Sequence, residues 1–102
     1  MTRKLLIAWL KLNGYYNITE INGVICGLYD YFTTCGLVVD LSTDTYERRY
    51  CYATKEEAIT ALMDWDGLDH PSGNWIKVKG RMNGLPIDDI NPNLGEPNGN
   101  RY

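Results

Sequence analysis

GLVVDLSTDTYERRYCYATKEEAITALMDWDG, running from Gly36 to Gly67, is the stretch that decides the fold. Gly36 to Leu41 is apolar and β-branched, the composition of a half-buried strand. Ser42-Thr43-Asp44-Thr45 is turn chemistry, because short hydroxyl and carboxylate side chains bond their own backbone. Tyr46 to Ala53 reads as the returning strand of an antiparallel hairpin. Thr54-Lys55-Glu56-Glu57 then opens a helix as a capping box. The Thr54 hydroxyl accepts from the Glu57 backbone N–H, and the Glu57 carboxylate reaches back to the Thr54 N–H. Ala58, Ala61, Leu62 and Trp65 follow at helical spacing, and Gly67 closes the helix.

Outward from this centre, Asn22-Gly23 lies between two alternating runs in Ile18 to Leu28, the strongest local hairpin signal in the chain. Residues 3–12 are short and solidly apolar, which fits a helix or a strand, with Asn13-Gly14 as a natural stop. Trp75 to Lys79 alternates and reads as a last strand. From residue 83 to 102 the chain turns rich in Asn, Pro and Gly, and an extended or disordered tail is expected there. These signals predict a single α+β domain over residues 1–82. Its antiparallel sheet of about four strands would carry the capped helix, near residues 55–66, on one face.

Bulk composition narrows the function classes. A chain of 102 residues has room for one core. Its net charge of −3 argues against a general duplex-binding protein. No stretch is long and apolar enough to span a membrane, and the N-terminal apolar run lacks a signal-peptide cleavage site. Cys26, Cys35 and Cys51 are odd in number and without paired spacing, so buried reduced thiols in a cytosolic protein are expected. Eight Tyr and three Trp against one Phe favour amphipathic rings suited to half-wet surfaces.

Strand alternation supplies the candidate site. Tyr46, Arg48, Tyr50 and Tyr52 share one side of their strand, and Trp75, Lys77 and Lys79 share one side of theirs. If the two sides coincide, Tyr46, Arg48, Tyr50, Trp75, Lys77 and Lys79 form an exposed aromatic and basic face. Such a face suits a protein partner, a homo-oligomer contact, or the stacking of a nucleotide, signal molecule or single-stranded nucleic acid. The plain structural alternative is that the tyrosines are partly buried and the lysines solvated. Asp64, Asp66, Asp69 and His70 are the lesser candidates for a metal, in spacing that does not match a calcium loop. No nucleophile elbow, Ser-His-Asp set or phosphate loop is present, and neither an enzyme nor a cofactor is expected.

The combination of Phe32-Thr-Thr-Cys-Gly-Leu-Val-Val-Asp40, Tyr46-Glu-Arg-Arg-Tyr-Cys-Tyr52, Trp65-Asp-Gly67 and Pro71-x-Gly73-x-Trp75-Ile-Lys77-x-Lys79-Gly80 resembles small uncharacterised proteins encoded by bacteriophages and prophages. The resemblance covers residues 32–80 and brings no assigned activity. It implies a phage accessory protein in the cytoplasm of a bacterial host. Its role would be to bind and inhibit a host protein, in the manner of an anti-CRISPR or other defence inhibitor.

Overall fold

Thr2 settles the first element as a helix. Its side chain accepts from the backbone N–H of Leu5 at 3.2 Å and starts α1, Arg3–Leu12. At the other end Gly14 takes φ +99°, the Gly14 N–H bonds Lys11 O and the Tyr15 N–H bonds Leu10 O, which satisfies the last carbonyls. In this computed structural model, which describes residues 2–91, the chain continues through β1 (Tyr16–Ile21), β2 (Val24–Asp30), β3 (Cys35–Val39), β4 (Arg48–Tyr52), α2 (Lys55–Asp64), β5 (Lys77–Met82) and β6 (Leu85–Ile90).

The strands form one antiparallel sheet in the order β1-β2-β3-β4-β5-β6. Each strand therefore pairs with its neighbour in sequence. The one long connection, residues 53–76, carries α2 across one face of the sheet. There Cys26, Leu28, Leu37, Val39, Tyr50, Tyr52 and Val78 meet Ala58, Ala61, Leu62, Trp65 and Trp75 in the main core. On the other face α1 covers only the half of the sheet near β1 to β3. Its Leu10 is buried with Ile25, Val38 and Leu41, while Leu6, Trp9, Tyr29 and Tyr46 fill the margin.

Among the described residues six strands replace the expected four or so, and the last of them, β6, lies where a tail is expected. Asn83 (φ +55°) and Gly84 (φ +80°) form the same left-handed turn as Asn22 (φ +50°) and Gly23 (φ +86°), and they fold β6 back onto β5. Pro86 is tolerated because β6 is an edge strand, where a missing N–H breaks no interior ladder. The tail expected beyond it, residues 92–102, lies outside the described residues. At the opposite edge, β1 carries an irregularity between Tyr16 and Thr19, with Asn17 at φ +50°.

Boundaries shift for stated reasons. Helix α2 begins at the expected Thr54 cap, with the Glu57 N–H on the Thr54 hydroxyl at 3.2 Å; the Glu57 carboxylate accepts from that hydroxyl at 3.2 Å instead of from the Thr54 N–H. It ends at Asp64 rather than Gly67, because Trp65 turns extended (φ −86°, ψ 139°) and drops its ring into the core. Strand β5 begins at Lys77, two residues after Trp75.

Gly80, at φ +136°, stands opposite Arg48 where β5 pairs closely with β4. A Cβ there would meet the Glu47 carbonyl oxygen and lie 2.5 Å from the Arg48 Cα, both backbone atoms. Gly80→Ala is expected to cost roughly 2–4 kcal/mol in urea denaturation. A second expectation concerns alkaline pH. Burial raises the phenol pKa of Tyr15, Tyr31, Tyr50 and Tyr52, and burial together with the Asp30 bond raises that of Tyr16. The folded chain keeps these protons where the unfolded chain loses them. Stability is therefore full below about pH 10 and falls as pH rises beyond it. Urea midpoints at pH 8 and pH 11 (about one unit above a free phenol) measure the loss, and equal midpoints contradict it.

Candidate functional site

Residues directly opposed across an antiparallel pair share a face of the sheet. Tyr50 stands between Leu37 and Val78, and Arg48 between Val39 and Gly80, so both point toward α2. The other row, Val38–Arg49–Lys79–Asp88, and beside it Gly36–Cys51–Lys77–Ile90, face the α1 side. The exposed face expected from Tyr46, Arg48, Tyr50, Trp75, Lys77 and Lys79 is thereby divided. Tyr50 is 0% exposed, Trp75 4% and Arg48 5%, all beneath α2 and its following loop. Tyr46 is half-buried at the margin of the α1 cluster, and Lys77 and Lys79 are exposed on the opposite side from Tyr50. Trp75 precedes β5 and escapes its alternation; its ring meets Tyr50 edge-on, with centroids 5.3 Å apart.

The buried members make a polar network rather than a contact surface. Arg48 Nε donates to the Tyr50 hydroxyl at 2.8 Å, and that hydroxyl is 2.7 Å from His70 Nδ1. Arg48 also pairs with Glu47, donates to the Asp69 carbonyl at 3.3 Å, and lies over the Trp65 and Tyr50 rings. Each polar side-chain atom of Arg48 and Tyr50 has a partner, which is what permits tyrosine and arginine inside a core. The acidic loop does not assemble a metal centre either. Asp66 caps the Leu68 N–H at 2.9 Å and His70 is engaged with Tyr50. Among the described residues no three His, Cys, Asp or Glu converge. Cys26 and Cys35 are buried free thiols and Cys51 a half-buried one; burial pushes the first two up in pKa, away from a reactive thiolate.

What remains open is the half of the sheet that α1 leaves uncovered. Lys77, Lys79 and Arg81 are exposed on one side of β5, about 7 Å apart by strand geometry. Lys79 stands between Arg49, a like charge that disfavours folding, and Asp88, an opposite charge that favours it. Strand β5 is interior, so these cations are not guarding a sheet edge. The ion pairs among the described residues are Arg3–Glu20 and Arg48–Glu47, which leaves Lys77, Lys79 and Arg81 without one there. Asp88 is the acid opposite Lys79 on this face, while Glu56, Glu57, Asp64, Asp66 and Asp69 lie on and after α2. The net charge of −3 conceals this separation.

Aromatic residues border the cations. The Arg49 guanidinium lies 4.8 Å from the Tyr31 ring centroid, and Tyr31, Tyr29 and Tyr15 follow one another at 5.1 and 4.9 Å. Gly36 permits this, since a Cβ there would sit 2.5 Å from Tyr31 Cε2. Arg49 Nε is buried without a hydrogen-bond partner. At the same end of the sheet Phe32 is 102% exposed and Ile90 65%. Sequence reasoning passes over Tyr31, Phe32, Arg49 and Arg81. The signal for Arg49 and Tyr31 was Gly36, a strand glycine that marks a close approach over it.

Substitutions separate the two faces. Trp75→Ala is expected to cost roughly 3–5 kcal/mol, and Tyr50→Phe roughly 1–3 kcal/mol by stranding Arg48 Nε. Lys77→Ala and Lys79→Ala should stay within about 0.5 kcal/mol in the same urea series. No protein-family model, curated protein or solved structure matches the chain.

Proposed function

We propose that this protein is a non-enzymatic binding module that captures an acidic surface of another protein through the open half of its sheet. The observation that carries the reading is the like-charged row on interior strands, Arg49 against Lys79 with Lys77 and Arg81 alongside. Asp88 opposite Lys79 and the Tyr31 ring beside Arg49 offset part of the repulsion, and an anionic partner relieves the rest. Phe32 and Ile90, exposed apolar side chains at one end of the row, favour a protein over a nucleic acid. Apolar anchors ringed by polar groups are the usual make-up of protein interfaces. The resemblance over residues 32–80 supplies the setting: a phage accessory protein in a bacterial host's cytoplasm, whose partner is a host protein, with inhibition of a defence system as the outcome.

The test is affinity capture from a bacterial lysate followed by affinity measurement on the recovered partner. Lys77→Glu with Lys79→Glu is expected to abolish capture, and Phe32→Ala to weaken binding by at least about thirtyfold, the scale of a central anchor. The melting temperature should barely move in either variant. Binding should weaken with salt. Capture that disappears on nuclease treatment would assign the face to single-stranded nucleic acid instead, and a thermal shift with a nucleotide would assign it to a small molecule.

A further inference from the structure

On the α2 side of the sheet, away from the cationic face, the turns between strands and the loop after α2 line an open cleft of about 530 Å3. That is within the range of small-molecule sites. Val39 and Arg48 contribute from the sheet, Trp65 and Asp69 from the loop, and Asn22 and Asn83 from the two hairpin turns. The wall is braced in place. A Cβ on Gly67 would lie 2.6 Å from the Asn22 Cβ, the Trp65 Nε1–H donates to the Leu68 carbonyl at 3.0 Å, and Asp66 holds the Leu68 N–H.

The lining carries both signs of charge. A guanidinium has five N–H donors. Arg48 uses one on Tyr50, one on Glu47 and one on the Asp69 carbonyl, which leaves two over. Glu47 gives Arg48 a single carboxylate oxygen and keeps the other, and the Asp69 carboxylate makes no hydrogen bond among the described residues. The Asn22 and Asn83 amides add neutral donors and acceptors, and Trp65 and Val39 an apolar wall. One cation against two carboxylates disfavours phosphates and other polyanions. It suits a small molecule with an anionic and a cationic end.

We propose that this cleft binds a free zwitterion of the α-amino-acid class. The ligand carboxylate meets the spare Arg48 donors, its ammonium meets Glu47 and Asp69, and its side chain lies against Trp65. This site is separate from the protein-binding face and does not depend on that reading.

The experiment is a thermal-shift screen of the intact protein with the L-amino acids at millimolar concentration, followed by titration calorimetry on the best. At least one amino acid is expected to raise the melting temperature by a few degrees. Its amide, which lacks the carboxylate, and its des-amino acid, which lacks the ammonium, should each bind at least tenfold more weakly. Arg48 variants risk unfolding, so the site is tested with Asp69→Asn and Asn83→Gly, at exposed positions whose positive φ both new residues accept. Each should weaken binding at least tenfold with the melting temperature of the free protein unchanged. No shift with any amino acid overturns the proposal. So does equal binding of the des-amino acid, or binding indifferent to both variants. Lys77→Glu with Lys79→Glu should leave it intact; its loss would move the ligand to the other face and also overturn the assignment.

Discussion

Tyr50 opposite Val78, under the rings of Trp65 and Trp75, is the placement on which the two central strands depend. Side chains alternate along a strand, so once Tyr50 faces α2 the sides of Arg48, Arg49 and Cys51 are determined, and through pairing those of Lys77 and Lys79. A shift of one residue would bury Lys79 and Arg49 and expose Tyr50. The hydroxyl of Tyr50 holds the register from a second direction. It satisfies Arg48 Nε and meets His70, so the loop after α2 is fastened to the middle of β4.

Local chemistry was legible in the residues. The Thr54 cap, the Asn13-Gly14 stop and the Asn22-Gly23 turn each announce themselves within a few positions, because the interactions that make them span only a few positions. The partner of each strand, and so the direction of its faces, is a property of distant residues. Arg48 and Tyr50 look like surface residues by type. They are core residues here because their polar atoms find partners in each other, in Glu47, and in Asp69 and His70 of the loop after α2. The missed strand is a different kind of failure. Asn83-Gly84 carries the same turn signal as Asn22-Gly23, and the Asn, Pro and Gly content around it masked a pattern that two residues were enough to state.

The faces of the sheet have opposite characters because the two helices cover them unequally. Helix α2 and its loop close one face and carry most of the nearby acids; α1 closes half of the other and leaves the cations of β4 and β5 in the open. Folding explains the first face residue by residue. On the second it explains Val38 and Ile25, and leaves the Arg49–Lys79 opposition only partly offset by Asp88 and the Tyr31 ring.

The two outer strands set how such a sheet can meet other molecules. An outer strand ordinarily offers a row of free N–H and C=O groups on which another chain can build. Here one rim is bent by the Asn17 irregularity, and the other has Pro86 in place of a donor and Asp88 and Asp89 beside it. A seventh strand would find poor purchase on either side. Growth of the sheet by lateral addition, the common route to runaway self-association, is disfavoured at both ends, and recognition is left to the broad surfaces.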